Sequence, residues 1–165
     1  MTDTARWSLP LLEAGQAQKE MTHNEALATL DLLVQASVVA VGPNAPPASP
    51  AAGQCWAVGA APTGAWAGHA HALAGWTAGG WRFAAPGEGA SVWSAADGCS
   101  AIWTGGQWRV GQVAAAALLI GGVQVIGAQR PAIAEPAAGT TVDAEARTTL
   151  AEVLGVLGAH GLIAS

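Results

Sequence analysis

Two hydrophobic periods alternate along this chain, and the changes between them mark its elements. Leu27, Leu30, Leu33 and Val34 recur at helical spacing. Thr22-His23-Asn24-Glu25 just before them fits a capping box, with Thr22 as N-cap and Glu25 at N3. The spacing predicts a helix over about 23–36, running into a short strand, Ser37 to Val41. Pro10 and Gly15 argue against one continuous helix across the residues before it. From Gln54 the pattern becomes that of strands: Gln54 to Val58, Leu73 to Phe83, Ser91 to Ser94 and Ser100 to Val110. Leu118 to Gly127 reads as two short strands about a Gly121-Gly122 turn. The helical period then returns over about 143–159, where Ala146, Leu150, Val153 and Leu157 form a narrow coiled-coil seam with Leu154 alongside. Thr141-Val142-Asp143 supplies its cap, and Gly161 after His160 takes the C′ position.

Within the strand region a motif occurs twice. Trp76-Thr77-Ala78-Gly79-Gly80-Trp81-Arg82-Phe83 is echoed by Trp103-Thr104-Gly105-Gly106-Gln107-Trp108-Arg109-Val110. Glycine admits the positive φ angles of tight turns, and the flanking aromatic residues suit strands. Each copy therefore predicts a hairpin with a Trp on each arm. A lead segment precedes each, Gly53-Gln54-Cys55-Trp56 and Gly89-Ala90-Ser91-Val92-Trp93, so each unit reads as a three-stranded meander led by a Trp-bearing strand. Pro86-Gly87-Glu88-Gly89 and Asp97-Gly98 are turns. The expected fold is mainly β, built of meander and hairpin repeats, with an N-terminal helix and a C-terminal helix. Four prolines between Gly42 and Gly53 mark a first boundary, and Pro131 and Pro136 bracket a second linker. The expected organisation is an attachment segment over 1–41, a Trp-rich repeat domain over 53–110, and a β segment with an oligomerisation helix over 111–165.

Composition sharpens the picture. Charged residues make up only 10% of the 165 residues, against about 25% in ordinary domains. Burial against copies of the chain is one way to cover the remaining apolar surface. The net charge of −5 and six scattered Lys and Arg residues exclude the basic stripe of a nucleic-acid binder. No stretch approaches the roughly 20 apolar residues of a membrane helix, and the N-terminus has no signal-peptide pattern. Two cysteines make no disulfide framework; Cys55 and Cys99 are expected as free, buried thiols of a protein made in the cytoplasm, with a bridge between them left open.

Candidate chemistry is sparse. His23 lies near Glu20 and Glu25, and His69-Ala70-His71 sets two imidazoles on one face of a strand, but neither group has a third ligand. No nucleophile elbow, activated cysteine, carboxylate pair or phosphate loop is present, so neither an enzyme nor a cofactor is expected. Two readings of the tryptophans stay open. Trp56, Trp76, Trp81, Trp93, Trp103 and Trp108 can fill a sheet core that has few other large residues. Exposed indoles can instead stack on sugar rings. Trp66, in a Gly-rich loop with His69, is the foremost candidate platform, and Trp66, His69, Trp76 and Trp103 form the expected carbohydrate set. Arg82 and Arg109 point to the face opposite the tryptophans, free to pair with acids or stack on rings.

Several literal runs resemble an uncharacterised domain family of alphaproteobacterial prophages and gene transfer agents. They are Leu9-Pro10-Leu11-Leu12 through Gly15-Gln16-Ala17-Gln18-Lys19-Glu20, Thr22 to Leu27, Thr63 to His69, the first Trp hairpin, Val125 to Ile133 and Thr141 to Arg147. The resemblance implies a virion component linked to head spikes or fibres that engage host surface polysaccharide, with no catalytic residues to carry over. Where relatives carry an aromatic or charged residue after the Glu-Gly turn, this chain has Ala90-Ser91. The resulting expectation is a head-spike base or fibre component of a phage-like particle, a homo-oligomer (trimer or pentamer) assembled through Ala146, Leu150, Val153 and Leu157 and joined to other capsid or fibre proteins. The alternative is a carbohydrate-binding module recognising host capsular polysaccharide.

Overall fold

A computed structural model describes residues 3–13, 15, 19–135 and 143–164. They fall into two compact units, 1–113 and 114–165. The fold is mainly β, with several sheets of antiparallel strands and one helix towards each end. Among the described residues no helix is long and apolar enough to cross a membrane.

The first unit opens with α1 (Lys19–Leu33). This corrects the expected 23–36 span: Thr22 lies inside the helix, and the capping box does not form there. The Glu25 carboxylate is drawn instead to Arg82, a long-range partner that no local pattern announces. The helix stops because Gln35 takes a left-handed φ of 43°. Arg6 secures the exposed carbonyls at that end, donating to the backbone oxygens of Asp31, Leu32 and Gln35. The segment before the helix is held along it. Asp31, buried within α1, accepts from the Thr4 hydroxyl at 2.7 Å, the Arg6 backbone N–H at 3.0 Å and the Trp7 backbone N–H at 2.7 Å. Asn24 brackets Leu12 with two further bonds.

Two three-stranded antiparallel meanders follow. The first is β2 (Cys55–Ala57), β3 (Leu73–Thr77) and β4 (Gly80–Ala84); the second is β5 (Ser91–Ser94), β6 (Cys99–Thr104) and β7 (Gln107–Val110). The segment after α1 joins them. Its β1 (Ser37–Val38) pairs in parallel with β5, and Val41 bridges in parallel to Ala57 of β2. The proline-rich stretch 42–53 runs as a loop inside this unit, and Asn44 receives the 61–63 backbone. Gly105 and Gly106, both at positive φ, make the two-residue turn of the second hairpin. In the first, the left-handed residue is Gly80, one place later.

Backbone bonds fix how the meanders correspond. Gly53 N–H donates to Trp76 C=O, and Gly89 N–H donates to Trp103 C=O. Counting from those glycines, Trp56 matches Val92 and Ala57 matches Trp93. The lead tryptophans are therefore not equivalent, which corrects the sequence alignment of the two units. One extra residue before Trp93 turns it to the other face of its sheet, because side chains alternate along a strand.

Each meander thus has a front face, bearing the hairpin tryptophans, and a back face, bearing the arginine. The back of the first (Cys55, Ala57, Leu73, Ala84) packs on the front of the second (Val92, Ala101, Trp108), with Leu32, Ala36 and Val38 closing the core. The meanders are stacked front to back. Gly75 lets α1 approach: a Cβ there would stand 3.0 Å from Leu32 Cδ1.

The second unit holds the hairpin β8 (Leu118–Ile120) and β9 (Val123–Ile126), turning at Gly121-Gly122, and α2 (Ala144–Ala159). Asp143 caps α2, its carboxylate accepting from Ala146 N–H at 2.9 Å; Thr141 and Val142 lie outside the described residues, as does Pro136. At the other end Gly161 sits at φ 68° and Leu162 N–H reaches back to Leu157 C=O, a Schellman closure. Arg130 pairs with Ile163 in a parallel bridge.

Candidate functional site: the aromatic faces of the meanders

The front of the first meander carries most of the rings. Cross-strand partners Trp76 and Trp81 meet edge to face, centroids 5.0 Å apart. Trp81 also lies 5.6 Å from Trp56 and 5.3 Å from Trp66. Phe83 stands beside Trp81 at 6.4 Å, and the exposed His69 imidazole stacks flat on Phe83 at 3.6 Å. Each edge-to-face pair contributes about 0.5–1.5 kcal/mol beyond area burial.

Trp66, expected as an exposed platform, is 0% exposed. The short 3-10 turn Gly64–Trp66 feeds its indole over the sheet, where Trp56, Val58 and Ala74 surround it. Small Ala74 between Trp56 and Phe83 leaves room on the sheet face, and the loop's indole fills it. Its indole N–H is buried without a hydrogen-bond acceptor among the described residues. Trp66 is a core residue and presents no face for a sugar. Trp76 and His69 remain accessible at opposite ends of a half-buried ribbon, Trp76–Trp81–Phe83–His69.

Trp103 does not join that ribbon. It pairs with Trp108 across the second hairpin at 5.5 Å, and the His71 ring lies 5.2 Å away. His71 sits at φ 64°, a left-handed conformation costly for a residue with a Cβ. The Trp108 indole N–H, at 2.9 Å, bonds the His71 carbonyl and helps hold it. His69 and His71 lie in a turn rather than on a strand, and their rings go to different sheets, so the expected two-imidazole face does not exist. Among the described residues no group of three metal-ligating side chains comes together.

The two arginines differ in their surroundings. Arg82 donates to both Glu25 oxygens at 2.7 Å. That pairing, mainly through its hydrogen bonds, holds the Glu25 carboxyl below its ordinary value and raises the guanidinium above its own. Arg109 makes no hydrogen bond or ion pair among the described residues. Both cysteines are free thiols. Burial pushes the Cys55 thiol up to about 11, so it stays protonated and unreactive near neutrality.

These two meanders, with most of α1, are the part of the chain that has recognisable kin. A family profile described as a protein of unknown function, DUF2793, matches residues 23–109, just over half the chain. The chain belongs to the DUF2793 family. The DUF2793 segment ends at Arg109, so it takes in both hairpins and leaves out the strap before α1 and the whole second unit. No curated protein matches the chain.

The strongest aromatic signal missed in the sequence is Trp93. Grouped there with the core tryptophans, it is 51% exposed. The signal was present in the spacing: Trp56 stands three positions after Gly53, and Trp93 four positions after Gly89.

Proposed function

We propose that this chain is a structural, self-assembling component of a phage-like particle, at the base of a head spike or in a fibre, aiding attachment to the host surface. The observation that carries the reading is the bareness of the second unit. Ile163 is the one buried side chain among its described residues. Leu118, Leu119, Ile120, Val123, Val125 and Ile126 of the hairpin are all exposed, as are Leu150, Val153 and Val156 of α2. About fifty residues with no interior do not stay folded alone, and sister copies are the economical cover. Ala146, Leu150, Val153 and Leu157 are the proposed seam, and the N-terminal segment the attachment end. The resemblance to prophage and gene-transfer-agent proteins supplies the setting.

Particles released by the encoding organism test this. The chain is expected to co-purify with them through a density gradient, and particles from a deletion strain to adsorb less to cells. Recovery only in the soluble fraction of lysed cells contradicts it. A second reading, direct recognition of host polysaccharide, is favoured by an exposed indole on the first unit.

A further inference from the structure

We infer that the back face of the second meander is a binding platform for a carboxylate-bearing polysaccharide, with Trp93 as the stacking ring and Arg109 as the anion clamp. The inference rests on the polysaccharide reading above and assigns its site and sugar class. It starts from the stacking of the two meanders. At the equivalent place the back face of the first meander is covered: Cys55, Leu73 and Gly75 are buried, and Ala57, the match of Trp93, is 0% exposed in the core. Among the described residues no third meander follows the second, and Ser37, Ser91, Trp93 and Ser100 on its back face are exposed.

What occupies that face is not what a future interior needs. The register sets Ser37, Trp93 and Ser100 in one row across β1, β5 and β6, and Ser91, Ile102 and Arg109 in the next across β5, β6 and β7. An exposed indole is therefore ringed by three serine hydroxyls, all on exposed residues. Hydroxyls beside a flat apolar ring match the alternation of C–H faces and hydroxyl edges on a sugar. A protein partner is a poor fit, because a sheet face dominated by serine offers little apolar area to bury.

Charge chooses among sugars. Arg82, in the matching place of the first hairpin, is neutralised by Glu25. Arg109 has no such partner among the described residues. A planar guanidinium without a counterion suits a bidentate carboxylate. Standard strand spacings put Arg109 two strands and one row from Trp93, about 12 Å, a span that a short oligosaccharide covers. The occupant that satisfies both ends is a polymer containing hexuronic acid.

Titration calorimetry of the full chain with a galacturonate oligomer and with a neutral glucose oligomer of equal length tests the assignment. The galacturonate oligomer is expected to bind more tightly. Trp93→Ala is expected to weaken both by about tenfold, with Trp93→Phe restoring most of the loss. Arg109→Gln is expected to remove the preference for the acidic oligomer and leave the neutral one unchanged. Trp93 is half exposed, so an unchanged melting temperature will show that its variants fold. Binding lost in Trp76→Ala but kept in Trp93→Ala overturns the site while leaving the polysaccharide reading intact. No binding of either oligomer overturns both. A fall in oligomeric mass in Trp93→Ala makes this face an interface between copies and overturns the platform.

Discussion

Arg82 and Arg109 hold the same place in the two hairpins and have different neighbours. Helix α1 brings Glu25 to the first and nothing comparable to the second. The Glu25–Arg82 pair is bidentate but largely open to solvent, at 58% and 29% side-chain exposure. Its coupling in a double-mutant cycle of Glu25→Gln and Arg82→Met is therefore expected below about 1 kcal/mol. The sign of its pH dependence follows from the depressed carboxyl. Stability from Glu25 is complete above its ordinary value of 4.5 and is lost as acidification carries the pH through the lower native value. Chemical denaturation repeated from pH 6 downward should show the wild type and Arg82→Met converging; a gap that widens in acid contradicts the pairing. At this scale the sequence was partly legible. The spacing after the second Trp put both arginines on the face opposite the indoles. The partner of Arg82 was not legible, because Glu25 lies 57 positions away and local pattern offered it a cap instead.

The strap over α1 is the element that pattern reading passed over. Its residues have no period, and at its centre one carboxylate takes three donors. Asp31→Ala is expected to destabilise the first unit by about 2–3 kcal/mol, since it strips the Thr4 hydroxyl and two backbone N–H groups of their acceptor. Amide exchange should speed up at Thr4, Arg6 and Trp7 while β6 stays protected; unchanged exchange in the strap contradicts the clasp. The meanders, by contrast, were readable in outline. Glycine and tryptophan at fixed spacing dictate a hairpin locally, with little help from the rest of the chain. Their faces were harder to read. The single extra residue before Trp93 matters only once register is fixed by the Gly89–Trp103 bond, and Trp66 is buried by a loop that folds it onto Trp56, Val58 and Ala74. In both cases tertiary packing decided what a Gly- and Ala-rich sequence left open.

At the scale of the molecule, two units face opposite problems. The first buries its core between stacked sheets and leaves Trp93 exposed on the back of the second meander. The second consists of a hairpin and a well-capped helix with almost nothing inside. Strong caps at both ends of α2 specify a helix, and the apolar step from Ala146 to Leu157 then has no use in a solitary chain. The central claim is that copies of this chain cover one another through that seam. Sedimentation equilibrium of the full chain beside Leu150→Asp tests it most directly, because Leu150 is 49% exposed in the single chain and its substitution disturbs no interior. The wild type is expected at a fixed multiple of 16.3 kDa across micromolar concentrations, and Leu150→Asp at a lower mass. A wild type sedimenting as a stable 16.3 kDa monomer, folded through its second unit, contradicts the account.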